Sequence, residues 1–382
     1  MLYRKFGKTN ENVSILAFGC MRLPVINNYT KQIDDEKAIK MVRHAIDEGL
    51  NYIDTAYPYH GGMSEAFVGR TLKDGYRDKV KIATKLPCWL IKTRQDMDKY
   101  LNEQLERLET NYIDFYLLHS LNKGSWEKMK ELGALEFLDQ ALEDGRIKHA
   151  GFSFHDKGEV FKEIVDGYDW SFCQIQYNYI DEYNQAGKEG LEYAASKGLG
   201  IAIMEPLRGG NLVKSIPNEV MSIFDLAKTK RTPVEWALRW LYDNKYIHVV
   251  LSGMSEMVHV EENIKIAKEA YSNSLTEAEN DIINKAKKAF QDRIKINCTG
   301  CEYCLPCPAG VNIPQNFTLF NEYNLFDGQN HKKASRFEYN NMDGEQKASF
   351  CIKCGKCETH CPQNISIREM LEEVDNTLKE QQ

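Results

Sequence analysis

The sequence predicts an α/β chain of eight strand–helix repeats followed by a small, mostly α-helical domain rich in cysteine. Three observations carry that expectation. Short apolar runs alternate with longer amphipathic segments over about the first 290 residues, the pattern of βαβ units around a parallel sheet. Eight such runs can be counted. And eight of the eleven cysteines fall after residue 297, in two tight groups.

The strand candidates are 13–19, 51–56, 80–85, 112–119, 149–153, 172–178, 200–206 and 248–253, each short and rich in β-branched or aromatic residues. Helical patterns fall between them at 36–48, 94–108, 127–143, 187–197 and 233–242, the last with Thr232 as N-cap and Pro233 as first helical residue. Eight βα units in this length indicate a (β/α)8 TIM barrel, whose functional residues stand at the C-terminal ends of the strands. An open doubly wound sheet is the rival, but no Gly-x-Gly-x-x-Gly follows an early strand. At 382 residues the chain exceeds one core of ordinary size. A polar helical stretch at 276–293 leads into the cysteine region, so the boundary is set between 1–294 and 295–382. The charged tail after Glu372 is expected to fray.

Composition narrows the partners. A net charge of −7 without a long basic run argues against nucleic acid or an anionic membrane surface. No run approaches the ~20 apolar residues of a membrane span, and no signal-peptide core follows Met1. The expected location is the cytoplasm. Cysteines clustered in a reducing compartment point to metal and not to disulfides, which would spread through the fold.

The first array is Cys298-x2-Cys301-x2-Cys304-x2-Cys307-Pro308, and the second is Cys351-x2-Cys354-x2-Cys357-x3-Cys361-Pro362. Two-residue gaps let a turning backbone aim successive thiolates at the corners of one cube. The second array resembles the bacterial ferredoxin run, in which the fourth cysteine crosses to the other cluster. Two [4Fe–4S] clusters are therefore expected, one on Cys298, Cys301, Cys304 and Cys361, the other on Cys351, Cys354, Cys357 and Cys307. The first array departs from the pattern, with only Leu305 and Pro306 before its last cysteine. Structural zinc is the alternative, but zinc sites pair two Cys-x2-Cys units a dozen or more residues apart. Between the arrays, Phe317, Phe320, Tyr323 and Phe326 recur at helical spacing and form a small packing face. The region resembles a helical ferredoxin-like iron–sulfur domain with a long insert.

In the barrel, Asp54 ends the second strand with Tyr59 five residues on, Lys85 ends the third, and His119 ends the fourth. Four ionisable residues on three consecutive parallel strands face one mouth. Over about residues 1–290 the chain resembles the aldo-keto reductases, in particular the subgroup with a C-terminal ferredoxin-type domain. The resemblance implies a catalytic tetrad of Asp54, Tyr59, Lys85 and His119. Tyr57 stands at the wrong spacing from Asp54. The chemistry suits the residue types. A carbonyl that accepts hydride gains negative charge on oxygen and must be protonated. Tyrosine is a weak acid with a free pKa of ~10, which a nearby ammonium lowers. Asp54 holds Lys85, and His119 donates to the carbonyl.

The resemblance also implies a nicotinamide cofactor, NADP or NAD, which supplies the hydride. Ser153 and Gln174 match carboxamide-binding positions, although Phe154 replaces the family's Asn. Met204 replaces the aromatic that stacks on the ring; a thioether still packs there. In 251–263, Gly253 and His259 stand where a Lys and an Arg clamp the 2′-phosphate, while Glu262 and Asn263 match the adenine-binding pair. Gly253 and Met254, in a loop running into a helix, offer backbone N–H groups to phosphate. A basic loop at 207–212 places Arg208 near pyrophosphate or an acidic substrate, or in solvent, and Trp89 walls the substrate site or packs in the core.

Hydride transfer moves two electrons, whereas a cubane cluster passes one. A flavin would join them, but no flavin motif is present. The reading that follows is an NAD(P)-dependent oxidoreductase of a small carbonyl or alcohol whose clusters relay electrons to or from a partner protein. The alternatives are a simple carbonyl reductase with structural clusters, or a nucleotide-binding redox sensor with little catalysis.

Overall fold

The computed structural model describes residues 1–29, 31–298 and 300–380. Two compact units emerge: Met1–Pro206 with Val234–Leu275, and Leu207–Pro233 with Thr276–Gln382. This division falls elsewhere than the 294/295 boundary drawn from sequence, because the segment after the seventh barrel strand and the helix Glu277–Gln291 fold with the cysteine-rich part.

An antiparallel hairpin, β1 (Tyr3–Lys5) and β2 (Asn12–Ser14), opens the first unit. Eight strands then close into a barrel: β3 (Leu16–Gly19), β4 (Tyr52–Asp54), β5 (Lys81–Leu86), β6 (Ile113–Leu121), β7 (Ile147–Phe154), β8 (Phe172–Gln176), β9 (Gly200–Met204) and β10 (Val249–Ser252). Each neighbouring pair is parallel, and β10 meets β3 to complete the circle. All eight sequence candidates are therefore strands of the barrel. The first was read too long: residues 12–14 belong to the hairpin, and Ser14 Oγ donates to the Leu16 carbonyl at the break. Phe6, at the turn of this hairpin, packs edge-on against Tyr52 and Phe115 in the barrel interior.

The expected helix 127–143 is two helices, Lys123–Glu131 and Ala134–Glu143. Gly133 between them has φ +75°, which no helix interior adopts. Sequence reading also passed over the helix Ser64–Thr71.

In the second unit, the helix Ile313–Leu325 packs on both Gln329–Asn340 and Ile367–Leu378. Phe317, Phe320, Tyr339, Leu371, Val374 and Leu378 form its core. The tail does not fray at Glu372: Val374 and Leu378 bury completely, and Tyr339 donates to Asp375 at 2.6 Å. The aromatic set does not share one face either. Phe317 and Phe320 enter this core, whereas Phe326 leaves the helix and meets Phe290 at 5.6 Å. Within the same unit the helix Asn218–Phe224 packs on Glu277–Gln291, and Arg293 ties Glu219 to Asp327 and to the carbonyls of Asn324 and Leu325. No helix among the described residues is long and apolar enough to cross a membrane.

Candidate active site and cysteine centre

Side chains alternate across a strand, so one register decides what the barrel mouth holds. Tyr52, Ala83, Leu117, Phe172 and Ala202 fill the interior. Two residues further along the same strands stand Asp54, Lys85, His119, Gln174 and Met204. On β7 the interior position is Gly151, whose place is forced: a Cβ there would lie 2.5 Å from the Phe172 ring. Ser153 follows two residues later. The residues named from sequence on these strands thus form one layer above the core, at the C-terminal rim.

Lys85 is completely buried. Its ammonium donates to both Asp54 oxygens at 2.9 Å and to the Thr55 carbonyl at 2.7 Å. Burial works against its charge, but Asp54 and Tyr59 outweigh burial and hold the Lys85 pKa above the ordinary lysine value. The ammonium stands 5.1 Å from the centre of the Tyr59 ring. For the phenol, burial is the largest influence and raises its pKa, while Lys85 pulls it down by charge and hydrogen bonding. The net direction is upward, unlike the lowering expected from Lys85 alone. Tyr59 therefore rests as the protonated phenol, the form a proton donor needs.

His119 sits edge-on to Tyr59 at 6.3 Å. Burial first, and Lys85 second, push its pKa down to about 2, so the imidazole is neutral. A register shift between β6 and β7 after Leu118 marks a bulge, and Ser120 there has φ +59°. Ser153 Oγ accepts from the Ser120 amide at 2.7 Å and so holds the bulge that presents His119. Trp89 tilts against His119 at 5.1 Å and is 49% exposed, which makes it a wall of the mouth and not a core residue.

The nicotinamide contacts can be tested against the buried polar atoms. Gln174 Nε2 lies 3.8 Å from the Met204 sulfur, while its Oε1 is buried with no hydrogen-bond partner. An amide oxygen left unpaired at that depth fits a carboxamide N–H donor. At the far end, Met254 is buried, and Asn263 donates to Ser252 Oγ at 2.9 Å and so braces the loop. Glu262 is half-buried. Gly253 lies against the stem of Arg22, which a Cβ would meet at 3.3 Å. Arg22, far off in sequence on the β3 loop, is a cation that sequence reading missed. Arg208 is not loose in solvent: it pairs with Glu322 at 2.5 and 3.1 Å and covers the Phe326 ring inside the second unit.

Cys298, Cys301, Cys304 and Cys361 line one small cavity, floored by Ile313, Phe317 and Ile367. The structure thus brings together three cysteines of the first array and the last of the second. Cys307, Cys351 and Cys357 pack on the same core, whereas Cys354 is exposed. Among the described residues no three His, Cys, Asp or Glu side chains converge on a single ion. Thiols spread around a cavity suit the corners of a cube. Buried Asn316 sets the approach to the second array, donating to the Gln346 carbonyl at 2.7 Å and accepting from the Ala348 amide at 2.9 Å.

Residues 16–287 match the aldo/keto reductase family model and residues 297–365 match a 4Fe-4S dicluster domain, so the chain belongs to the aldo/keto reductase family and carries a C-terminal iron–sulfur domain. It is 29% identical over 293 residues to an L-galactose dehydrogenase of Arabidopsis thaliana, covering 70% of this chain and 89% of that protein. A probable aldo-keto reductase of Glycine max is 25% identical over 294 residues, 68% of this chain and 82% of its own length. The holo form of an aldo-keto reductase from Bacillus halodurans superposes with a TM-score of 0.63 at 25% identity, over 75% of this chain and 96% of that one.

Proposed function

We propose that the barrel interconverts a small carbonyl compound and its alcohol with NADP or NAD, Tyr59 acting as acid and base. The observation that carries this reading is Lys85, held by both Asp54 oxygens and the Thr55 carbonyl beside the Tyr59 ring. A bound nicotinamide supplies the hydride. The protein's part is to position and protonate. Neutral His119 donates an N–H to the carbonyl oxygen and orients it. As a C–H bond forms at the carbonyl carbon, the Tyr59 O–H passes its proton to the oxygen. Lys85 then faces a phenolate and stabilises it until water returns the proton. Gln174, with its unpaired Oε1, and Ser153 would hold the carboxamide. Arg22, whose stem lies beside Gly253, would supply a cation in place of those missing from the 2′-phosphate position.

Two [4Fe–4S] clusters would sit on the eight C-terminal cysteines and exchange electrons, one at a time, with a partner protein. The cavity lined by Cys298, Cys301, Cys304 and Cys361 supports the crossed ligand set. A second reading has its own observation. Cys298, Cys304, Cys307, Cys351, Cys357 and Cys361 all pack on the core of the second unit, so the clusters would also brace that fold. Anaerobic mixing with NADH or NADPH separates the two. Under the relay reading the clusters bleach and give a reduced-cluster EPR signal; carbonyl turnover with silent clusters favours bracing alone.

A further inference from the structure

Behind the tetrad, on the outer side of the strands, lies a second buried polar set with no part in the chemistry above. Thr84 and Tyr116 neighbour Lys85 and Leu117 in sequence, so strand alternation turns them away from the barrel interior. Glu65, in the first turn of the helix Ser64–Thr71, is completely buried against them. Its Oε1 accepts from Thr84 Oγ1 at 2.7 Å and from Gln104 Nε2 at 2.5 Å, and Arg107 pairs with Oε2 at 3.4 Å.

Gln104 carries the connection further. Its Nε2 also donates to the carbonyl of Lys85 at 3.0 Å, and its Oε1 accepts from the Tyr116 hydroxyl at 2.8 Å. Next to Glu65, the Ser64 and Thr55 hydroxyls share a hydrogen bond of 2.9 Å. Thr55 is the residue whose carbonyl accepts from the Lys85 ammonium. Lys85 is thus gripped at both ends, at its charge from inside the barrel and at its peptide from behind. The same set touches β6, whose end carries His119, and begins at the helix that follows the Tyr59 turn, residues 59–62.

Burying a carboxylate between two helices is costly unless it is fully paired, and an apolar contact would close the same gap at less expense. Specific geometry is what the polar set adds. We propose that Glu65, acting through Gln104 and Thr84, is a positioning residue that holds the strand end bearing Lys85 in register with Tyr59 and His119. It touches no reacting atom. The inference rests on the carbonyl reduction proposed above, and its test is built so that the two can fail separately.

Glu65→Gln keeps the volume and removes the charge that Thr84, Gln104 and Arg107 share. Thr84→Val removes one hydroxyl from a strand position that valine favours, so it folds even where Glu65→Gln does not. Carbonyl reduction by both is followed as kcat and KM. Tyr59 itself is titrated by ultraviolet difference against Tyr59→Phe. The groups around its ring are Lys85, Asp54, Cys20 and His119. A misplacement of about 1 Å costs up to about a hundredfold, so kcat falls about tenfold to a hundredfold with KM held within about twofold. With Lys85 out of register, the Tyr59 titration and the alkaline limb of the pH profile both move to higher pH. Variants that melt like the wild type and keep both kcat and the Tyr59 titration would overturn the proposal. Should Tyr59→Phe leave carbonyl reduction intact, the proposed reaction fails, and the spectroscopic titration alone still decides whether Glu65 positions Lys85.

Discussion

The barrel and the cysteine-rich unit build their sites in opposite ways. In the barrel every tetrad side chain hangs from a strand end or its adjoining turn, and Lys85 makes three hydrogen bonds before any ligand arrives. The geometry belongs to the sheet. In the second unit the eight cysteines sit on irregular backbone or on the single-turn helix Lys356–His360, and none of them is fully buried. Their thiols share a core with a few helices, and little regular structure holds the loops between. One site is held by regular structure, whereas the other hangs on loops packed against a helical core. Under the proposed function, the difference makes the barrel vulnerable to loss of one side chain such as Tyr59 and the cysteine unit to loss of its iron–sulfur clusters.

The largest effect that probes this contrast is removal of iron. Chelation or Cys361→Ala should abolish hydrogen-exchange protection in the helices Ile313–Leu325 and Ile367–Leu378, because bound metal contributes folding free energy directly. Barrel strands such as β5 and β6 should keep theirs. Equal loss of protection in both units would break the comparison.

A smaller effect sharpens it from the packing side. Phe320→Ala empties part of the second core and should cost about 3–5 kcal/mol, measured by chemical denaturation. A cost below about 1 kcal/mol would mean that the helices do not rely on this core.

The smallest lies in pH. His119 is neutral in the fold, with its pKa lowered to about 2, and regains an ordinary value near 6.5 on unfolding. The unfolded chain then binds the extra proton, so its contribution is complete above pH 6.5 and is lost as pH falls below it. At most it steepens the loss by about 1.4 kcal/mol per pH unit, and His119→Phe should flatten that slope. A slope unchanged in the variant would show that His119 is not held neutral.

Legibility followed the same division. Where a side chain's position depends on strand period alone, sequence sufficed: Asp54, Lys85, His119 and Gln174 each stand two residues past an apolar interior position. Where position depends on a distant partner, it did not. Glu65 carries no local sign of the Thr84 and Gln104 side chains that bury it, and Arg22 meets Gly253 only because β3 and β10 are neighbours in the closed barrel. Arg208 looked like a loop cation because its partner Glu322 is over a hundred residues away. The tail defied its charge because Val374 and Leu378, one turn apart, point to the same core.

The proposed carbonyl chemistry stands or falls on Tyr59. Tyr59→Phe removes one oxygen and leaves the ring beside Lys85. Single-turnover reduction of a small aldehyde, with NADPH or NADH bound first, measures that oxygen's contribution directly. General acid catalysis of this kind is worth about 10²–10⁴-fold, so the rate should fall by that factor while nicotinamide affinity stays unchanged. A variant that reduces the aldehyde at the wild-type rate would contradict the assignment of the barrel as a tyrosine-dependent carbonyl reductase.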